Sequence, residues 1–414
     1  MHFDPAARIQ DLLVFGEHGD VNPSITDSST YTFLDPARME EAFRHPIEGC
    51  FLFSRHVNPT DQHLADALAR MEDAEAGQVM ASGMAAIATT LLALTGAGSE
   101  IVAGRALYGG TWALLHNLLP RFGVTTRFVD LGDPGAVRAA MGPRTRVLFC
   151  ESLSNPLLEV SDLPMLSAIA REHGAMLVVD NTFTPMMLSP LRHGADVVVH
   201  SLTKYVNGTS DGMAGVVVGR RAFVDRLNDL HDGPCMLLGP VLDATRAASI
   251  LKNLHSLHIR MRQHGANALF LARHLEARGH RVHYPGLETH PRHALLGRLL
   301  NPGYGWGGMM TLDAGTADRA QRLMVAMQRE KVGYLAVSLG YFRTLFSAPG
   351  GSTSSEIPAE EREAMGLSPG LVRFSIGLDE DIAGTLQRIE RCLTEVGVAP
   401  RGRRPDAHEV VASG

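Results

Sequence analysis

The chain has 414 residues, 45% hydrophobic and 20% charged, with a formal net charge of −6. That length supports more than one domain and large cores, and its scattered Lys and Arg residues, outnumbered by acids, exclude a basic surface for nucleic acid. The four cysteines, Cys50, Cys150, Cys235 and Cys392, are too far apart for a metal-ligand pair, and with no secretory signal at the start they point to a reducing, cytoplasmic compartment.

Residues 1–60 read as an irregular arm. Asp20, Asn22, Pro23, Ser24, Asp27, Ser28, Ser29 and Thr30 break periodicity, and such an arm lies on another surface, here expected to be a neighbouring subunit. Residues 61–245 read as a large domain. Helical patterns at 63–75, 84–95, 111–122, 134–141 and 164–173 alternate with apolar runs at 78–81, 100–103, 125–129, 146–150, 176–179, 197–200 and 215–218. The alternation predicts an α/β fold, with a mostly parallel central sheet and helices on both faces.

Residues 79–99 carry no charge, a length that could span a membrane. The small residues Ser82, Gly83, Thr89, Thr90, Thr95, Gly96 and Gly98 fit a buried helix instead, so no membrane partner is expected. A helical stretch at 243–278, with Leu251, Leu254, Leu257, Ile259 and Met261 at helical spacing, leads into a smaller α+β C-terminal domain over 246–398. That domain has strand candidates at 308–312 and 371–375 and a closing helix at 382–395. Residues 399–414, with Arg401, Arg403 and Arg404, read as a polar, disordered tail.

Two β-branched runs end in polar residues, Asp180-Asn181-Thr182 and Ser201-Leu202-Thr203-Lys204. Ligands of open α/β sheets bind beyond the strand carboxyl ends, so these runs predict a site that holds an acid and an amine. Lys204 reads either as a surface lysine or as an amine that desolvation keeps uncharged and able to attack an aldehyde. Asp180 reads either as a turn residue or as the partner of a ring nitrogen. A carboxylate beside a lysine suits pyridoxal phosphate (PLP), with the lysine forming a Schiff base.

Other positions carry weaker signals. Ser82-Gly83-Met84 opens a helix, as an N-cap or as a phosphate site; Ser201 and Thr203 would add a second loop to a phosphate cradle. Tyr108-Gly109-Gly110-Thr111 is a simple turn or places Tyr108 flat on an aromatic ring. Arg55 and Arg373 have the planar fork that suits phosphate or carboxylate. No metal is expected: His255 and His258 lack an accompanying acid, and His290 and His293 sit in a proline-containing loop.

Taken in order, these stretches resemble the PLP-dependent Cys/Met metabolism family, which includes cystathionine γ-synthase, cystathionine γ-lyase and methionine γ-lyase. The resemblance runs from about residue 20 to 397. It rests on Ser54-Arg55 with Asn58-Pro59-Thr60, Ser82-Gly83-Met84-Ala85-Ala86, Tyr108-Gly109-Gly110-Thr111, Glu151-Ser152 with Asn155-Pro156, Asp180-Asn181-Thr182, Ser201-Leu202-Thr203-Lys204-Tyr205, Ser338-Leu339-Gly340 and Leu371-Val372-Arg373. It implies the PLP-dependent transferase fold type I and a homotetramer, a dimer of dimers with shared active sites.

The resemblance also implies roles. Lys204 would hold PLP as an aldimine and then shuttle protons. Asp180 would pair with the pyridine nitrogen, and Tyr108 would stack on the ring. The segment of Ser82, Gly83 and Met84, with Ser201 and Thr203, would bind the phosphate, and Arg55 would reach the phosphate of a neighbouring subunit. Asn155 would contact the ring hydroxyl and border the substrate. Arg373, helped by Ser338, would clamp the substrate carboxylate. The implied activity is a lyase that eliminates from a γ- or β-substituted amino acid of the methionine, cystathionine or homoserine-derivative type. Alternatives are γ-replacement on an activated homoserine and binding without turnover.

Several positions depart from the family pattern. Phe53 stands where the family usually has Tyr, and Arg343 follows Ser338-Leu339-Gly340 where an acid is usual. Lys252-Asn253-Leu254-His255-Ser256 replaces an Arg-Gly-Leu-Lys-Thr element, and Gly110 replaces the cysteine typical of methionine γ-lyase. The loop at 350–354 lacks the usual histidine. These changes surround the substrate side chain, which predicts retained PLP chemistry with altered substrate choice. Arg343 reads either as a selector for an anionic side chain or as a solvated loop residue.

Overall fold

A computed structural model describes residues 3–16, 18–44, 47, 49–398 and 400. Except for residue 400, the tail expected at 399–414 lies outside the described residues. Seven strands form the large sheet: β1 (Ala76–Met80), β2 (Glu100–Gly104), β3 (Thr125–Val129), β4 (Thr145–Glu151), β5 (Met176–Asp180), β6 (Val197–Ser201) and β7 (Gly215–Gly219). Their order is β1-β7-β6-β5-β4-β2-β3. β7 runs antiparallel to β1 and β6; the pairs β2–β3, β2–β4, β4–β5 and β5–β6 are parallel. The expected mostly parallel sheet is therefore present.

Strands buried on both faces read as unbroken apolar runs. In β5, Leu177 and Val179 pack into one core while Val178 packs into another on the opposite face. The helix Gly83–Leu94 contacts β6 and β7 and contributes Ile87 and Leu91 to the core that holds Val178. The helix Leu163–Glu172 contributes Leu166 and Ile169 to the other. Each helix starts on a polar cap: the Ser82 hydroxyl accepts from Ala85 N, and the Asp162 carboxylate accepts from Met165 N.

A second sheet follows, with β8 (Val282–His283), β9 (Met309–Asp313), β10 (Tyr334–Leu335), β11 (Leu345–Ser347) and β12 (Leu371–Ser375) in the order β10-β11-β12-β9-β8. It has its own core, including Leu312, Phe346, Val372 and Phe374, closed by the helices Ala317–Arg329 and Ile382–Glu395. The helix expected at 243–278 is two helices, Ala244–Leu254 and Leu257–Ala277, parted at His255-Ser256. The expected irregular arm contains two short helices, Pro5–Gln10 and Pro36–Arg44, each begun by proline, which suits the first helical turn. Among the described residues, no helix is long and apolar enough to cross a membrane.

The central strand β5 should dominate stability. Leu177 is fully buried, so Leu177→Ala should cost about 2–5 kcal/mol through lost burial and a residual cavity. The expected outcome is a lower urea midpoint with an unchanged slope in equilibrium unfolding.

Candidate active site

The carboxyl ends of β4, β5 and β6 open into a cavity of about 420 Å³. Strand polarity brings Glu151, Asp180 and Ser201 to that edge, and the turn after β6 brings Thr203 and Lys204. The second sheet contributes Arg373 from β12 and Ser338 from the loop between β10 and β11. Eleven of the twelve sequence-predicted residues line this cavity: Ser82, Gly83, Met84, Tyr108, Asn155, Asp180, Ser201, Thr203, Lys204, Ser338 and Arg373. Arg55 does not. It borders a separate small cleft, donates to Met236 O at 2.6 Å and lies over the Phe53 ring.

Lys204 Nζ donates to Ser338 Oγ at 3.2 Å. Burial, and then the nearby Arg373 cation, lower its pKa to about 8. Arg373 is itself buried, which lowers its pKa to about 10, so it stays charged at neutral pH. Its Nη1 donates to Asn155 Oδ1 at 2.8 Å and its Nη2 to Ser338 O at 3.3 Å. Within the described residues this guanidinium has no carboxylate partner in hydrogen-bond contact. A buried, incompletely answered cation in a cavity is a receptor for an anion.

Asp180 and Glu151 are paired across β4 and β5. Burial raises the pKa of both, and the neighbouring Asp180 raises that of Glu151 further. Asp180 Oδ1 accepts from Thr182 N at 2.9 Å and Thr182 Oγ1 at 2.5 Å. Its Oδ2 has no hydrogen-bond partner among the described residues. Glu151 Oε1 accepts from Tyr108 N at 2.7 Å and its Oε2 from Asn155 N at 2.8 Å. One carboxylate therefore fixes the backbone of both Tyr108 and Asn155.

The Ser82 turn meets the β6 turn at close range. A Cβ on Gly83 would lie 2.6 Å from Ser201 Cβ, and one on Gly215 would lie 2.1 Å from Ser82 O. Glycine is required at both positions for this contact. The Ser82 hydroxyl is occupied as the helix cap, accepting from Ala85 N at 3.0 Å. The N–H groups of Gly83 and Met84 are left without partners among the described residues, beside Ser201 and Thr203. Free amides at a helix amino end, together with hydroxyls, suit a phosphate.

These features fit PLP. Asp180 offers an unpartnered oxygen on the cavity wall for a cationic ring nitrogen, the Gly83 turn offers donors for a phosphate, and Lys204 offers a weakly basic amine. Some lining residues carried no sequence signal of their own. Glu356 lines the cavity and raises the pKa of Tyr108, although burial raises it more; it lies in a polar loop with no periodicity. Glu151 was legible only as part of the motif Glu151-Ser152. Thr182, which also accepts from Ser201 N at 2.8 Å, was read as part of the strand end. Arg343 lies outside the cavity, exposed, 6.0 Å from the Tyr334 ring.

Known proteins resemble this chain over most of its length. The family model for the Cys/Met metabolism PLP-dependent enzymes matches residues 12–393. The chain is 45% identical to methionine gamma-lyase of Arabidopsis thaliana over 93% of this chain and 88% of that one. It is 40% identical to L-methionine gamma-lyase of Pseudomonas putida over 91% and 93% of the two chains. A solved structure described as an O-acetylhomoserine (thiol)-lyase of Campylobacter jejuni, with N'-pyridoxyl-lysine-5'-monophosphate, superposes with a TM-score of 0.87 at 27% identity, covering 95% of this chain and 100% of that one.

Burial of Lys204 has a measurable consequence. In the cofactor-free protein, capture of its Nζ by an aldehyde under reductive trapping should rise with pH, be half-maximal near pH 8, where burial places its titration, and level off about one pH unit above. An exposed lysine would still be gaining reactivity near pH 10. Peptide mass mapping of protein trapped across a pH series checks this.

Proposed function

The chain belongs to the Cys/Met metabolism family of PLP-dependent enzymes, and on that premise we propose that it is a carbon–sulfur lyase acting on a γ-substituted amino acid of the methionine or cystathionine type. One observation carries the site assignment: the buried Lys204 amine and the buried Arg373 guanidinium enter one cavity, both tied to Ser338. An amino acid whose carboxylate sits on Arg373 would present its α-carbon to Lys204.

In this reading Asp180, Gly83, Met84, Ser201, Thr203 and Lys204 hold the cofactor, with Asn155 beside it and Tyr108 against its ring. The bound cofactor supplies an electron sink for the charge left when a bond at the substrate α-carbon breaks. Asp180 keeps a negative charge opposite the ring nitrogen, and Thr182 fixes its orientation. Arg373 and Ser338 orient the substrate. Lys204 Nζ, uncharged in a large fraction of molecules near pH 8, takes the α-proton and can return it along the substrate chain. The Tyr108 hydroxyl, raised in pKa by burial and then by Glu356, holds its proton at neutral pH and can give it to a departing sulfur. The departing sulfur leaves as a free thiol, and the remaining carbon skeleton is released as a 2-oxo acid and ammonia.

Elimination is favoured over γ-replacement by the relatives of highest identity reported above, both methionine gamma-lyases. We further propose a homotetramer with shared sites. Its support is Arg55, which lies outside its own chain's cavity, and the apolar side chains Leu13, Phe15, Val21 and Leu34, which the arm leaves largely exposed in one chain. Four free cysteines support a cytoplasmic setting. The division into an arm over 1–60, a large domain over 61–245 and a smaller one over 246–398 is supported by the two separate sheets.

Product analysis tests the reaction. Purified holoenzyme given L-methionine without added thiol should yield ammonia, a 2-oxo acid and a volatile thiol; turnover only when an activated homoserine and a thiol are both supplied would replace lyase with synthase. For the site, Arg373→Ala should lower kcat/KM about 10²–10³-fold, mostly through KM, because a charge-assisted pair to the substrate carboxylate is lost. Lys204→Ala should lower kcat by at least about 10³-fold while the protein still binds the substrate, as measured by calorimetry.

A further inference from the structure

A second cavity, of about 430 Å³, opens at the carboxyl ends of β2, β3 and β4. Glu151 is a wall common to this cavity and the active site. The proposed reaction uses nothing else in it. Its location has a topological basis. From β2 the chain moves to β3 on one side and then crosses back to β4 on the other. The gap between β2 and β4 is therefore where the strand order reverses, the position at which open α/β sheets take ligands.

The charges in this cavity are incompletely answered. Arg105 and Asp130 pair with each other at 2.7 Å. The Arg292 guanidinium donates only to Gly132 O, at 3.1 Å, and makes no ion pair within the described residues. The Glu159 carboxylate has no ion-pair or hydrogen-bond partner there either; only its backbone is held, with Glu159 N donating to Ser154 Oγ at 3.0 Å. Burial and then Asp130 raise the pKa of Glu159, and Arg105 and Arg292 lie near enough to offset part of that rise. An unpaired cation and an unpaired anion thus face one space without touching. Leu157, Val160, Met365 and Leu371 form the apolar part of a wall that also carries His283, His290 and Asp313, the last paired with Arg281 at 2.8 Å.

A simple anion would meet Glu159 and Asp130, and a simple cation would meet Arg292 and Arg105. Glu159 is exposed and Arg292 half-buried, so a neutral ligand would leave both charges to water alone. A zwitterion with an apolar tail answers all three parts of the wall. We propose that this cavity is a second binding site for a free α-amino acid with an aliphatic side chain, its carboxylate on Arg292, its ammonium on Glu159 and its side chain on Leu157, Val160, Met365 and Leu371. This assignment rests on the cavity's own charges and holds whichever reaction the active site performs.

The test is calorimetric titration of borohydride-reduced holoenzyme with L-norleucine, which separates binding from turnover. Two sites per chain are expected. Arg373→Ala should abolish or weaken one of them. Arg292→Ala and, with almost no change of shape, Glu159→Gln should each weaken the other by about tenfold or more, the effect of losing one charged hydrogen bond. Both variants should keep the parent protein's absorbance spectrum and unfolding midpoint. Hexanoate and pentylamine, each lacking one of the two charges, should bind the second site at least about tenfold more weakly than L-norleucine. The absence of any site weakened by Arg292→Ala and Glu159→Gln, or equal affinity for hexanoate, would each overturn the proposal.

Discussion

The site depends on ionisable groups held in a dry sheet edge. Asp180 and Glu151 end adjacent parallel strands in register, and burial resists the ionisation of both. The unfolded chain would release those protons at lower pH. In the cofactor-free protein these two groups therefore favour folding less as pH rises through the range between their ordinary and raised pKa values. Lys204 acts in the opposite sense. Its folded pKa lies near 8 and its ordinary value at 10.5, so its burial opposes folding most below pH 8, and the opposition fades as pH rises from 8 towards 10.5. Near neutral pH the fold thus carries electrostatic strain in both the acids and the amine. A ligand with a cationic ring nitrogen and a lysine-reactive aldehyde would relieve that strain at Asp180 and Lys204. Binding of such a group is thereby coupled to stability.

The supporting layers are arranged to keep those groups fixed. Glu72, at the end of the helix Pro59–Glu72, accepts from Asn181 Nδ2 at 2.9 Å and meets His200 Nε2 at 2.7 Å. This fully buried cluster lies one residue beyond Asp180 and one before Ser201, so it ties the ends of β5 and β6 together from beneath. Thr182 ties them from above, bonding both Asp180 and Ser201 N. The amine and the acid are consequently set by strand register rather than by a mobile loop, the kind of support that holds reacting groups in place.

Much of this was legible before any coordinates. β4, β5 and β6 each carry a short apolar run, and the polar residues that end them had to emerge at one edge of the sheet. The Ser82 turn was visible because a cap residue, a glycine and an apolar helix follow a strand. Other parts were not. β10 has two residues and β11 three, too few for any period to show. The split at His255-Ser256 is masked because both helices bury residues at helical spacing across it. It is stabilised by Arg260, which donates to the carbonyls of Val206 at 2.8 Å and Asn253 at 3.0 Å, contacts between distant segments that no local pattern reports. Glu356 likewise reaches Tyr108 only through the tertiary fold. Arg343 carries a charge at a suggestive place in the motif, yet the backbone turns it to solvent.

Proton inventory connects the departures from the family pattern to the chemistry. With phenylalanine at 53, Tyr108 is the one phenol among the described residues that line the cavity. Burial and Glu356 make it a weaker acid than a free phenol, so it holds its proton at neutral pH and would share it only as negative charge develops on a departing sulfur beside it. A weaker leaving base would draw that proton less readily. The Glu356 carboxylate lines the same cavity, where it would disfavour an anionic side chain more than a neutral thioether. Glu151 completes the arrangement from the other side: by holding Tyr108 N and Asn155 N on its two oxygens, it sets the phenol and the Arg373 clamp in one frame. The two walls of the substrate pocket therefore respond together to any change at that buried acid, which also borders the second cavity.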